Sequence, residues 1–289
     1  MPEGDSVWRA ARRLEEALSG RRITRCELRV PRFATVDLVG REVLETVPLG
    51  KHLLTRVSGG LTLHTHLGME GAWRLLPPRA PWPGAEHQVR VVLATADRLA
   101  LGLRLPVVEV VRTAAEGLHP VLAALGPDLL APDWDAEAAR VATGRLAADP
   151  GRPLGEALLD QRNLAGVGNI FMCELCHLAG VTPWTPVGEG PEPARIVAAA
   201  RRLLLANAVV EPGPGPGPGP GPGGVWPARS PRPVRSTTGS RVPGRELFVY
   251  GRGGRPCRRC GTPVRKAWRE ERPTYWCPSC QRGPAPGPA

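Results

Sequence analysis

The chain has 289 residues, 42% of them hydrophobic, enough for a real core and for two domains or one domain plus a small module. A net charge of +11 points to a polyanionic partner, most simply nucleic acid, and only two of the 38 basic residues, Lys51 and Lys266, are lysine. No apolar run reaches the ~18 residues of a membrane span, and the charged, amphipathic N-terminus is no signal peptide. The seven cysteines, four of them in two late CxxC pairs, suit a reducing compartment and a metal better than a disulfide framework.

The chain starts Met1-Pro2-Glu3-Gly4-Asp5. Removal of Met1 would leave Pro2 as a secondary amine titrating near pH ~8, partly unprotonated and nucleophilic at neutral pH. Asp5 or Ser6 is the expected N-cap of a first helix, with Val7, Ala10, Ala11, Leu14 and Leu18 at helical spacing and Gly20 closing it. Residues 22–112 then break into short β-like runs at 23–30, 35–39, 42–47, 52–57, 61–66, 89–95 and 99–103, the spacing of a β-sandwich or barrel. His64 and His66 share one face of a strand; with no third ligand in view, strand pairing or a DNA-facing polar surface is the expectation.

From about residue 114 the pattern turns helical, and Leu125-Gly126-Pro127-Asp128 reads as a domain junction. Helices are expected at 135–146 and 154–160, from Asn169 onward, and at 193–208. The glycines of Leu164-Ala165-Gly166-Val167-Gly168-Asn169 permit close backbone approach, and a helix starting at Asn169 offers N–H groups to phosphate. Cys173 and Cys176 fall mid-helix and read as packing residues. The Pro-Gly repeat at 211–224 cannot build a core and serves as a spacer, and 246–250 reads as a short strand.

The last motif is Cys257-x2-Cys260-x16-Cys277-x2-Cys280. Two CxxC turns present four thiolates, which close a tetrahedral structural zinc site, one Zn2+ per chain and without a catalytic role. Residues 261–266 and 272–276 are the expected hairpin strands between the pairs. The chain thus divides into a β-rich unit (1–125), a helical unit with the repeat (126–245), a zinc module (246–282) and a tail (283–289).

Six stretches taken together resemble the formamidopyrimidine-DNA glycosylase / endonuclease VIII family: Pro2-Glu3-Gly4, Gly50-Lys51-His52-Leu53-Leu54, His66-Leu67-Gly68-Met69, residues 156–171, residues 249–257, and residues 272–281. The resemblance covers nearly the whole chain, in the family's order. It implies an α+β multidomain fold: a helix plus β-sandwich, a helix–two-turn–helix domain and a four-cysteine zinc finger, with damaged double-stranded DNA bound between them by a monomer. It further implies that processed Pro2 attacks C1′ of the damaged nucleotide, releases the base and forms a Schiff base that drives β,δ-elimination. Glu3 would then move protons, and Lys51 would contact a phosphate and assist. Asn169 and Arg272 would grip phosphates beside the lesion, and Met69 would fill the space left by the everted base. A compact ammonium exchanges protons more readily than a guanidinium, a physical reason for lysine at position 51.

Two departures from the family pattern stand out. Residues 103–112 lack the phenylalanine of the family's other void-filling loop. The stretch between Thr238 and Glu246 is short, as in the endonuclease VIII branch, which favours oxidised pyrimidines. The competing readings are a damage-binding protein of the same architecture without chemistry and, more remotely, a topoisomerase- or ribosome-associated zinc protein.

Overall fold

The computed structural model describes residues 2–82, 85–209, 235–269 and 271–286; the Pro-Gly repeat lies outside them. Helix α1 (Gly4–Leu18) buries Val7, Ala11, Leu14 and Leu18, at roughly 1.5–3 kcal/mol for each large side chain. Behind it stand two antiparallel four-stranded sheets. One has the order β1 (Arg25–Leu28), β6 (Val89–Ala94), β7 (Leu99–Leu103), β5 (Ala72–Leu76), and the other β2 (Val43–Leu49), β3 (His52–Val57), β4 (Leu61–His66), β8 (Val107–Arg112). Leu53, Val57 and Leu63 of one sheet and Val91, Leu93 and Ala100 of the other meet α1 in a single core cluster. The expected sandwich is therefore present.

Several local expectations are corrected. The first helix starts at Gly4 with Glu3 in the N-cap position, and the Glu3 side chain does not cap its own helix. Residues 35–39 form no strand: Val36 N–H bonds Phe33 O, and the Asp37 carboxylate accepts the Val39 N–H at 2.8 Å, a local turn that competes with any ladder. β5 and β8 are additional strands. Residues 246–250 are not a strand either, because Phe248, Val249 and Tyr250 each donate their N–H to the buried Glu174 carboxylate at 2.8 Å.

After a 3-10 turn at Thr113–Leu118 and the short α2 (Pro120–Ala123) come α3 (Ala136–Ala147), capped by Asp135, and α4 (Leu154–Leu159). They are followed by α5 (Asn169–Ala179) and α6 (Pro193–Ala208). The C-terminal hairpin pairs β9 (Arg265–Arg269) with β10 (Arg272–Trp276); the first strand starts later than the expected 261–266, because Gly261 and Thr262 are bonded to Cys257 in the cysteine turn. It has no core of its own: Val249, Cys257, Val264 and Cys277 join Phe171, Met172 and Cys173 of α5 in one cluster. Cys173 and Cys176 are buried packing residues, as expected; burial pushes the Cys176 thiol up to about 12. Among the described residues no helix is long and apolar enough to cross a membrane.

Candidate active site

The N-terminus is docked through Glu3, which is fully buried. One carboxylate oxygen accepts Ile170 N–H at 2.8 Å, and the other accepts Gly168 N–H at 3.1 Å and Phe171 N–H at 3.2 Å. These are unpaired donors at the start of α5, where the helix dipole favours an anion. The expectation that this terminus waits for a phosphate is thus corrected in part, since its first donors already hold a protein carboxylate. Beside it the two backbones touch. Gly4 N–H bonds Gly166 O at 2.9 Å, and a Cβ on Gly4 would stand 2.9 Å from Gly166 Cα.

A Cβ on Gly168 would overlap the Glu3 carboxyl group itself. With φ at −123° the backbone there tolerates alanine, so the obstacle is steric, and the three nearest atoms are all of Glu3. Gly168→Ala is expected to displace the N-terminal segment and slow single-turnover cleavage of abasic-site DNA by roughly 100-fold. An alanine variant within twofold of wild type would show that the Glu3 anchor is dispensable.

Lys51 arrives by a second route. It lies in the β2–β3 turn, after Gly50 at φ +58°. A Cβ on Gly50 would meet Ala165 Cβ at 2.9 Å, and Gly50 N–H donates to the buried Asp128 carboxylate at 2.8 Å. Asp128 also accepts Leu130 N–H, so one carboxylate ties the sandwich turn to the helical section. Burial pushes the Lys51 ammonium down to about 8; Glu3 opposes this, and Arg272 and Arg235 add to it. Lys51 therefore feels Glu3 and Arg272 together, although 48 and 221 residues separate them in sequence.

Asn169 is buried at the first position of α5 and donates its side-chain N–H to Pro273 O at 2.8 Å. That bond carries the neighbouring Arg272, exposed at the start of β10, to the mouth of the same site. Bonds of Glu3, Gly50, Asp128 and Asn169 thus tie together the segments that carry Glu3, Lys51, Asn169 and Arg272, with Pro2 next to Glu3 in the chain. Met69 takes no part in these contacts; it is 68% exposed on the β4–β5 turn, as its sequence setting suggested. Between β7 and β8 only residues 104–106 form the connection, a tight turn with Arg104 at φ +49° bonded to Glu70 and Gln88.

The four thiols of Cys257, Cys260, Cys277 and Cys280 converge with all donor atoms within 4.8 Å of one another, and none is in a disulfide. Cys257 and Cys280 Sγ are 3.9 Å apart, Cys260 and Cys277 Sγ 3.5 Å, and Arg259 N–H points at Cys257 Sγ. The cluster fits a metal ion, and an all-thiolate donor set suits a soft or borderline cation.

His64 finds its partners outside its own strand. Its Nδ1 lies 3.0 Å from Glu109 Oε2, which also meets His119 Nε2 at 3.0 Å, while its Nε2 lies 2.9 Å from His52 Nδ1. The three donor atoms of His64, Glu109 and His119 are close enough to hold an ion. One arrangement of protons already satisfies the set: His52 donates to His64, His64 and His119 donate to Glu109, and His119 Nδ1 accepts Leu122 N–H. His66 packs its ring 4.9 Å from that of His52 and accepts Gly68 N–H.

Sequence reasoning missed Asp128, Glu174 and Arg235, all of which hold the site together across long sequence separations. Arg235 pairs with Asp5 and lies over the Phe171 ring, 5.0 Å from its centroid.

Residues 1–104 match the family described as formamidopyrimidine-DNA glycosylase N-terminal domain. A probable endonuclease 8 2 of Streptomyces coelicolor is 56% identical over 295 residues, spanning 100% of this chain and 96% of its own. A DNA-(apurinic or apyrimidinic site) lyase Nei2 of Mycolicibacterium smegmatis is 47% identical, spanning 97% of this chain and 99% of its own. Formamidopyrimidine-DNA glycosylase of Lactococcus lactis, solved non-covalently bound to DNA containing an AP site, shares the fold at a TM-score of 0.74 and 23% identity, covering 97% of this chain and all of that one. Full-length identity at this level, on a shared fold, settles the kinship: the chain belongs to the formamidopyrimidine-DNA glycosylase / endonuclease VIII family.

Proposed function

We propose that the protein is a bifunctional DNA glycosylase and abasic-site lyase of base-excision repair, acting on double-stranded DNA with damaged bases or abasic sites. The observation that supports this reading is the docking of the N-terminus: Glu3, the neighbour of Pro2, is locked to the start of α5 and acts electrostatically on Lys51. A fixed amine needs no further ordering to attack a carbon brought to it. With Met1 removed, the Pro2 nitrogen attacks C1′ of an everted nucleotide, the C1′–base bond breaks, and the base leaves with a proton. A proton from Glu3 to O4′ then opens the C1′–O4′ bond, and the resulting iminium acidifies C2′. Loss of a C2′ proton expels the 3′ phosphate, a second elimination expels the 5′ phosphate, and water releases the sugar fragment from Pro2.

In this scheme Glu3 delivers a proton to the opening sugar. Lys51, Asn169 and the Arg272 fork bind the flanking phosphates, and Lys51, with its ammonium near pH 8, can also exchange a proton. Met69 on its exposed turn occupies the space the base leaves. The four cysteines hold one Zn2+, which closes the C-terminal module as a structural ion.

Oxidised pyrimidines are the favoured lesions. The 238–246 stretch closes on itself, with Thr237 and Thr238 N–H both donating to Glu246 O, and offers no long cover over a purine. The competing reading, a damage-binding protein without chemistry, requires Pro2 to form no bond with DNA.

Borohydride reduction separates the two. Processed protein mixed with abasic-site DNA is expected to give a covalent adduct that maps to Pro2, whereas protein retaining Met1 is expected to give none. Processed protein that binds the DNA but leaves no adduct would establish the binding-only reading.

A further inference from the structure

Arg235 is the first described residue after the Pro-Gly segment, and a purpose-built receptor holds it. Its neighbour Ser236 is pinned to the end of α6 by a two-way bond: Ser236 N–H donates to Asn207 Oδ1 at 2.7 Å, and Asn207 Nδ2 donates to Ser236 O at 2.8 Å. Arg9 donates to Asn207 O and so closes the same junction from α1. The next residue, Thr237, donates its hydroxyl to the buried Glu174. From this fixed base the Arg235 guanidinium reaches the first turn of α1, giving Nε to Asp5 Oδ2 at 3.0 Å and Nη2 to Asp5 Oδ1 and Ser6 Oγ. Its other side faces the ring of Phe171 in the first turn of α5. The side chain is 12% exposed, and Asp5 is fully buried.

Resting on the reading that Pro2 and Glu3 perform the chemistry, we propose that Arg235 is a positioning residue for the reaction. It cross-links the first turns of α1 and α5, the two turns that Glu3 also joins, and so fixes where Pro2 stands. It also places a permanent positive charge behind Glu3 and Lys51. The groups around it are Glu3, Asp5 and Arg9 at the N-terminus, Lys51 of the β2–β3 turn, and Tyr250. Around Lys51 stand Glu3, Arg272 and Arg235, with His52 and His66 held neutral, pushed down to about 3 and about 4 chiefly by burial. Neither histidine titrates near pH 8, so Arg235 and Arg272 supply the fixed positive charge that favours a neutral amine at Lys51.

The role of Arg235 is therefore twofold, geometry and charge, and the two separate in an experiment. Single-turnover cleavage of abasic-site duplex is measured across pH for processed wild type, Arg235→Gln and Arg235→Lys, together with duplex affinity and thermal unfolding. Arg235→Gln is expected to slow the chemical step by roughly tenfold or more while affinity changes by less than about threefold. The rising limb of its pH profile should move to higher pH, since the amines keep their protons longer. Arg235→Lys keeps the charge and loses the two-pronged hold on Asp5, so it should retain the wild-type limb and recover part of the rate.

A glutamine variant with an unmoved limb, or with a rate within twofold of wild type, overturns the inference. Equal losses in both variants without a limb shift also overturn it, because they mark a purely structural residue. Should the glutamine variant not fold, a shifted limb in Arg235→Lys overturns the inference and an unshifted one supports it. Failure of wild type to form a borohydride adduct is a different result, since it removes the Pro2 reading itself.

Discussion

Glu3→Gln is expected to lose base excision by roughly 10³-fold while its cleavage of a preformed abasic site falls only about tenfold. The asymmetry follows from the chemistry asked of the carboxyl group. Excision from an intact nucleotide must open a closed furanose ring, and a proton delivered to the ring oxygen lowers that barrier. An abasic sugar is a hemiacetal already in exchange with its open aldehyde, so the amine can attack without that help. Parallel losses on both substrates would mean that Glu3 acts only as an anchor.

The anchor role sets a floor beneath either outcome. The Glu3 carboxylate accepts three N–H groups at the α5 terminus, and a glutamine amide would turn an N–H2 toward at least one of them. A buried donor left facing a donor costs about 1–3 kcal/mol. The unfolding midpoint should therefore drop, and a matched loss of activity on both substrates would track that drop. Glu3→Asp keeps the charge but not the reach, and is expected to lose stability and both activities together.

How much of this was legible in the sequence depends on how local the cause is. α6, β3, β4 and β7 follow from hydrophobic period and punctuation alone, and their observed bounds match the expected ones. The CxxC spacing likewise carries its own geometry, since each pair sits in one tight turn. The failures share a different cause. Residues 246–250 look like a strand, yet their N–H groups are claimed by Glu174, some 74 residues earlier. Glu3 looks like the neighbour of an N-cap, yet its partners lie 165 to 168 residues away. β8 has valines on both faces and lacks the alternation that marks a half-buried strand.

The site shows the same division. Pro2, Glu3, Lys51, Asn169 and Arg272 were legible as members of motifs, and the structure adds the bonds of Glu3, Gly50 and Asn169 that tie their segments together. Asp128, Glu174 and Arg235 were not, because a buried carboxylate or guanidinium has no periodic signature. Its partners are backbone N–H groups and side chains that only the fold brings near. Residues that carry chemistry fall in recognisable words of sequence, whereas residues that hold those words together do not.

Cys257→Ser is expected to weaken binding to abasic-site duplex by at least about 100-fold and to abolish strand cleavage, while α1 and the sandwich stay folded. Structural zinc in small modules contributes roughly 10–16 kcal/mol of apparent binding free energy at neutral pH, which becomes folding free energy. The hairpin has little to replace it, for its buried residues are Val264, Thr274, Trp276, Gln281 and two of the four cysteines, Cys257 and Cys277. What remains after loss of a ligand is docking from outside: Asn169 to Pro273 O, Tyr275 N–H to Cys173 Sγ, and Gln281 to Val181 O. These contacts, with the Arg269–Glu156 ion pair, dock the strands on the helical section, so the module should open locally around the cysteines rather than unfold the chain. Amide exchange is then expected to rise across 257–281 and to stay unchanged across 52–66. Arg272→Ala provides the control. It removes the phosphate fork and leaves the hairpin intact, so it should weaken cleavage without changing exchange. A serine variant that behaves like Arg272→Ala in exchange as well as in binding would show that the four-cysteine cluster does not hold the hairpin together.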